Sequence, residues 1–172
     1  MFNNHISFKN TVSEGSFMIQ TKRLNISIAS DEEMRELIAE QTDEEMKKAY
    51  SEMLAGCEEN PEQRQWYAVW FIRQINGERI GDLCFKGLPP DGMVEIGYGI
   101  LPEYWGHDYA TEAVSAAVNR ATKQPGVKVV EAETDPDNIA SQRVLAKAGF
   151  VPTGKNGDEG PRFIWRGNSI SD

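Results

Sequence analysis

The chain has 172 residues, 18 basic and 27 acidic, for a formal charge of −9, with 40% hydrophobic and 26% charged residues. That balance belongs to a globular protein, not a disordered one, and the length suits one domain with a sizeable core. An acidic chain is poorly equipped to hold nucleic acid, whose phosphates are bound by Lys and Arg, so no nucleic-acid partner is expected and cationic partners are favoured.

Two cysteines, Cys57 and Cys84, make no disulfide framework and point to a reducing cytoplasm. Two histidines, His5 and His107, lie far apart, and no metal site is expected from them. No apolar run approaches the roughly 20 residues of a membrane span, and the N-terminus lacks the apolar segment of a secretory signal. There is no repeat and no low-complexity tract. Residues 1–16 are polar and patternless and read as a leader, 17–168 as the domain, and 169–172 as a tail.

Along the chain, 24–28 alternates apolar and polar residues and predicts a half-buried strand. Ser30 and the acids 31–33 open a first helix. Thr42 and Glu45 form a capping box for a second, with Met46, Tyr50, Met53, Leu54 and Cys57 at helical spacing up to Asn60-Pro61. Aromatic and β-branched residues over 66–75 predict a strand, Asn76-Gly77 a hairpin turn, and 79–85 the return strand. After a turn at 87–92, 93–101 is another strand and 102–106 a loop. Ala110, Ala113, Val114, Ala117, Val118 and Ala121 then mark a helix whose small face suits close packing on a sheet. A strand at 127–134, a turn at 135–138, a helix at 139–148 stopped by Gly149, and short strands at 150–153 and 162–165 complete the chain. The fold class is therefore α/β: one domain with a mixed, mostly antiparallel sheet flanked by helices, and one parallel pair across the strand–helix–strand unit.

Three segments can carry chemistry. Residues 101–113 are a strand end, a glycine-containing loop and a helix N-terminus, where free N–H groups and the helix dipole favour a phosphate; an ordinary loop entering a surface helix has the same signature. Residues 137–150 place Asn138 at an N-cap and Ser141 at N3, which taken alone is a capped helix. In 93–101, alternation puts Val94, Ile96, Tyr98 and Ile100 on one face and Glu95, Gly97 and Gly99 on the other. Two glycines in a strand mark close approach of a ligand or backbone, or a bulge. Glu95 beside them reads as a base in a groove or as a solvated carboxylate.

Together, over roughly residues 18–166, these segments resemble the GNAT superfamily of N-acetyltransferases. The match is nearest the branch containing the ribosomal-protein N-terminal acetylases. QTKRL at 20–24 resembles that branch's opening strand and EIGY at 95–98 its central strand. Residues 105–113 resemble the acyl-CoA pyrophosphate loop, and Asn138 with Ser141 and the KAGF at 147–150 the last helix. The resemblance implies splayed central strands with acetyl-CoA in the gap, paired to backbone near Ile100 and Leu101. It implies a pyrophosphate held by Gly106, His107, Asp108, Tyr109, Ala110 and Thr111, and Asn138 and Ser141 near the thioester.

Two departures stand out. Trp105 replaces the loop's usual Gln or Arg, and Asp108 replaces its second glycine. Leu145 stands where many relatives carry the tyrosine that protonates the leaving thiolate, which leaves Ser141 or a water. Asp108 has two opposed readings: a cap for the following helix, or a negative charge that repels the pyrophosphate.

The expected activity is direct acetyl transfer from acetyl-CoA to a primary amine, on a small molecule or a peptide N-terminus. Glu95 is the expected general base and backbone N–H groups near Ile100 polarise the carbonyl, with no metal required. Cys57 and Cys84 read as buried structural thiols. The chain is expected to be a monomer or homodimer. A catalytically silent acyl-CoA-binding regulatory domain, motivated by Asp108, and an interaction module without CoA are the alternatives.

Overall fold

The computed structural model describes residues 18–167, so the leader at 1–16 and the tail at 169–172 lie outside the described residues. Strand β1 (Met18–Gln20) pairs antiparallel with β2 (Leu24–Ile28), which buries Leu24 and Ile26 as the alternation predicts. Helix α1 (Asp31–Glu40) begins at a capping box in which Ser30 Oγ accepts from the Glu33 N–H at 3.1 Å. The Glu33 carboxylate accepts in turn from the Ser30 N–H at 2.9 Å.

Helix α2 (Glu44–Glu59) corrects the expected cap. Its N-cap is Asp43, whose Oδ1 accepts from the N–H groups of Glu45 at 2.9 Å and Met46 at 3.1 Å. A carboxylate that satisfies two first-turn N–H groups at the positive end of the helix dipole serves better than the Thr42 hydroxyl one residue earlier. A 3₁₀ turn (Pro61–Trp66) takes the start of the strand expected at 66–75, and β3 runs only Val69–Gln74. Trp66 is buried in that turn, its ring edge-on to Phe85 at 5.2 Å. What looked like strand propensity in Trp66 is burial.

Strands β4 (Arg79–Phe85) and β5 (Met93–Ile100) follow, then a 3₁₀ turn (Pro102–Tyr104) and α3 (Tyr109–Ala121). After β6 (Val129–Glu133) and α4 (Ile139–Ala148), Gly149 at φ 100° ends the helix. Strands β7 (Phe150–Asn156), longer than expected, and β8 (Pro161–Trp165) close the chain.

Among the described residues eight strands form one sheet in the order β1-β2-β3-β4-β5-β6-β8-β7, antiparallel except for β5–β6. On one face, α1 and α2 bury Met34, Leu37, Tyr50 and Cys57 against Val69 and Phe71. On the other, α3 and α4 bury Val114, Val118 and Leu145 against Trp70, Ile72, Leu83 and Ile96. The small face of α3 is buried there from Ala113 to Ala121, as its spacing predicts, while Ala110 at its start is part-buried. No helix among the described residues is long and apolar enough to cross a membrane.

One feature of register positions the site. The parallel pairing of β5 with β6 stops at Glu95↔Glu131, while β5 runs on to Ile100. On the β4 side, the Lys86 N–H donates to Glu95 O at 2.9 Å and the Leu101 N–H to Ile80 O at 2.8 Å. Antiparallel bonding alternates, so residues 95, 97, 99 and 101 bond β4, while Tyr98 and Ile100 turn their N–H and C=O groups to the other edge. Beyond Glu95 that edge has lost its β6 partner, and the sheet splays open.

Candidate active site

A cavity of about 710 Å³ fills the splay, walled by the end of β5, the loop after it, the start of α3 and one side of α4. The indole N–H of Trp105 donates to Ile100 O at 2.7 Å and folds the loop back on its strand. Gly106 (φ 83°) and Asp108 (φ 64°) are both left-handed, and they turn the chain abruptly into α3. Asp108 is the one non-glycine among the described residues with positive φ. It occupies the backbone position where the resemblance calls for glycine.

Of the two readings of Asp108, the cap does not form. Asp108 sits at the N-cap of α3 but makes no capping bond. Its left-handed backbone swings the carboxylate aside, where it accepts from the Thr111 hydroxyl at 2.8 Å and pairs with Lys147 Nζ at 3.3 Å. Those two bonds, Thr111's first, hold its carboxyl below the usual range. The first N–H groups of α3, at Tyr109, Ala110 and Thr111, therefore have no side-chain cap and sit at the positive end of the helix dipole beside the cavity.

A brace missed in the sequence holds this loop. Arg23 Nη1 donates to His107 O at 2.9 Å, Arg23 Nε to Glu112 Oε2 at 2.6 Å, and the Thr21 hydroxyl to Glu112 Oε1 at 2.8 Å. The Arg23 guanidinium also lies 4.4 Å from the centre of the Tyr109 ring. Burial raises the Glu112 carboxyl, but its bonds from Thr21 and Arg23 outweigh burial and hold it below its ordinary value. The QTKRL segment was the available signal: its Thr21 and Arg23 supply the brace.

On α4, Asn138 Oδ1 accepts from the Ser141 N–H at 3.0 Å. The Ser141 hydroxyl lies 2.8 Å from the Tyr98 hydroxyl of β5, across the cavity. Burial pushes the Tyr98 phenol up, only partly offset by its bond to Ser141, so it stays protonated at neutral pH. Alternation puts Tyr98 on one face with Val94 and Ile96, and its ring packs against the core on that side. Its hydroxyl was the overlooked signal, since a buried Tyr O–H finds a polar partner. Leu145 is fully buried in the core.

Of the residues singled out in the sequence, Ile100, Gly106, Asp108, Tyr109, Ala110, Thr111, Asn138 and Ser141 line the cavity. Leu101 and His107 stand just outside its walls. The Leu101 N–H closes β5 onto β4, and the His107 carbonyl is taken by Arg23. Arg143 and Lys147 of α4 add cationic groups to the wall. Glu95 lies on the α1–α2 face of the sheet, with Lys86 Nζ at 3.1 Å and Arg162 Nη1 at 3.6 Å. Arg162 also pairs with Glu131 and Glu133.

On that same face Gly97 and Gly99 leave a bare strip. A Cβ on Gly97 would meet only Cys84 Sγ, at 3.5 Å, and one on Gly99 nothing within 4 Å. Burial, reinforced by Asp82, pushes the Cys84 thiol up to about 11, and burial raises Cys57 too, so both are structural thiols rather than thiolates. Among the described residues no group of three or more His, Cys, Asp or Glu is arranged to hold a metal ion.

The donor set fits an acyl-CoA: an uncapped helix N-terminus and two cations for phosphates, and an open strand edge for an amide-bearing chain. The sequence model of the Acetyltransferase (GNAT) domain matches residues 21–151. The chain is 29% identical over 149 residues to the Bacillus subtilis (strain 168) protein named Uncharacterized N-acetyltransferase YoaA, covering 80% of this chain and 84% of that protein. Its fold is similar to a GNAT-family acetyltransferase from Bacillus anthracis (TM-score 0.61, 20% identity, 86% of this chain and 95% of that one). It is similar also to a RimL alpha-N-protein acetyltransferase in complex with coenzyme A (TM-score 0.65, 17% identity, 87% and 96%). The splayed sheet, its phosphate-ready loop and the match over most of the chain agree: this protein belongs to the GNAT family of acetyl-CoA-dependent N-acetyltransferases.

Proposed function

We propose that this enzyme transfers the acetyl group directly from acetyl-CoA to a primary amine, on a small molecule or a peptide N-terminus. The observation that carries the reading is the convergence of the open β5 edge at Tyr98 and Ile100, the uncapped N-terminus of α3 and the Tyr98–Ser141 pair on one cavity. The α3 N–H groups, with Arg143 and Lys147, bind the phosphates of acetyl-CoA. Strand N–H groups at the open edge polarise the thioester carbonyl and stabilise the negative charge that builds on its oxygen. Asn138 fixes the first turn of α4, and with it the position of Ser141. Tyr98, steadied by Ser141, gives its proton to the departing thiolate, a role Leu145 cannot fill. A carboxylate on the bare strip takes a proton from the acceptor ammonium. Glu95 is the one that the sequence singles out, and Asp82 is a second that the fold adds to that face. The charge of −9 favours cationic acceptors.

The test is acetylation of a panel of amines and peptide N-termini with acetyl-CoA, read by mass. Acetylated product from a cationic amine is expected. Tight acetyl-CoA binding with no product from any amine would instead mark a silent acyl-CoA-binding domain.

A further inference from the structure

Asp82 of β4 pairs in register with Gly99 of β5, on the face that carries α2. Among the described residues its carboxylate accepts one hydrogen bond, from the Tyr50 hydroxyl of α2 at a long 3.4 Å. Among the described residues no Lys or Arg nitrogen lies within 4.0 Å of its carboxylate. Arg79 acts on it from farther away, with its guanidinium 4.9 Å over the Phe71 ring. A partly buried carboxylate with no ion partner is unfavourable unless something else supplies the positive charge. Beside it the neighbouring strand is bare, with open space above Gly99.

Glu95 differs on each count. It has Lys86 and Arg162 as ion partners, it sits at the last level where β5 and β6 still pair, and its Oε1 is buried without a hydrogen bond.

We propose that Asp82 is the proton acceptor for the acceptor amine, reached directly or through one water over Gly99, and that Glu95 orders the closed end of the gap. This rests on the acetyl-transfer reading above and names its base. Asp82 takes one proton from the ammonium, and the freed nitrogen pair attacks the thioester carbonyl carbon. The C–N bond forms and the C–S bond breaks with its electron pair going to sulfur, which takes a proton from Tyr98. The nitrogen's second proton leaves to solvent, solvent restores Tyr98, and Asp82 releases its proton to solvent. In total, the two protons lost by the ammonium appear as one S–H and one free proton.

Burial pushes the Asp82 carboxyl up, offset in part by Arg79 and Tyr50, which makes it a stronger proton acceptor than a free carboxylate. Of the other groups facing it, Tyr50 is pushed up to about 12 and Cys84 to about 11, both far above the carboxylate range. Lys86, just past the end of β4, is raised because Glu95 outweighs its burial.

The experiment compares kcat and KM against pH for wild type, Asp82→Asn, Asp82→Glu and Glu95→Gln, with acetyl-CoA affinity measured by calorimetry. Expected for Asp82→Asn is a fall in kcat of roughly 10²-fold or more, loss of the acid limb of the profile, and unchanged acetyl-CoA affinity. Asp82→Glu restores part of the rate, and Glu95→Gln keeps the limb. An Asp82→Asn enzyme that keeps its acid limb and stays within threefold in kcat overturns the proposal, as does a Glu95→Gln enzyme that loses the limb. A wild-type chain that binds acetyl-CoA and acetylates no amine removes the acetyl-transfer reading itself, and Asp82's role with it.

Discussion

The Tyr98 hydroxyl stands 2.8 Å from the Ser141 hydroxyl, joining the splayed strand β5 to the first turn of α4 across the cavity. No other contact so directly links the fold to the proposed chemistry, because it sets a protonated phenol at the open edge of the strand. Tyr98→Phe keeps the ring in the core and removes only the hydroxyl. We expect kcat to fall by roughly 10²-fold with acetyl-CoA affinity unchanged, measured by steady-state kinetics and calorimetry. A fall under threefold would hand the proton to water.

Asn138→Ala removes the bond that caps α4. The lost cap costs about 1 kcal/mol, or roughly 2–4 °C in Tm for a domain of this size. Because Asn138 also fixes Ser141, kcat should fall by more than this loss of stability explains. A thermal melt and a rate measured on the same sample separate the two effects.

Asp108→Gly places glycine where φ is 64°, relieving a backbone that side chains disfavour. It also removes a negative charge beside the N–H groups proposed to bind phosphate and frees Lys147 from its ion pair. The lost pair is exposed and contributes little to stability. Acetyl-CoA should bind roughly 5-fold tighter at low salt, less so at moderate salt, with little change in Tm. Calorimetric titration at two ionic strengths checks it, and equal affinity would mean that the carboxylate points clear of the phosphates.

Arg23→Ala removes the bond to the His107 carbonyl, the pair with Glu112 and the stack on Tyr109. The loop then loses its preorganisation. The KM for acetyl-CoA should rise about tenfold while the rate at saturation changes much less, since charge-assisted bonds of this kind are worth ~1.5–3 kcal/mol. Equal losses in kcat would place Arg23 nearer the reacting atoms than the brace suggests.

Asp82 also leaves a signature in stability. Burial raises its folded-state pKa above the unfolded value, so the folded state binds the proton more tightly. That contribution is fully present below the ordinary carboxylate range of about 4 and is lost as pH rises through the raised folded value. Asp82→Asn, which is neutral throughout, should therefore gain Tm relative to wild type as pH rises from 4 to 7. Melts across that range test it; a Tm difference that does not change with pH would mean that Asp82 carries no such strain.

Much of this protein follows from short stretches of sequence. The Ser30–Glu33 box, the Asn76-Gly77 turn, the alanine face of α3, the Asn138–Ser141 cap and the Gly149 stop all involve residues within a turn or two of one another. Their physics is local, so spacing alone locates them. Where two neighbours compete for one local role, as Thr42 and Asp43 do for the α2 cap, spacing points to the right place but not the right residue. Strand propensity failed at Trp66, because an aromatic residue signals burial and a 3₁₀ turn can bury it as well as a strand.

The site divides the same way. The loop that enters α3 and the Asn138–Ser141 pair are contiguous, and their local geometry is legible in the sequence. Tyr98 meets Ser141, Thr21 and Arg23 meet Glu112 and His107, and Asp82 stands beside Gly99 only because of strand register and helix packing. Residues far apart in the chain have no spacing to betray their contact. They meet because the sheet order places β5 between β4 and a β6 that parts from it after Glu95, which decides which edge is left open and which carboxylate has no ion partner among the described residues.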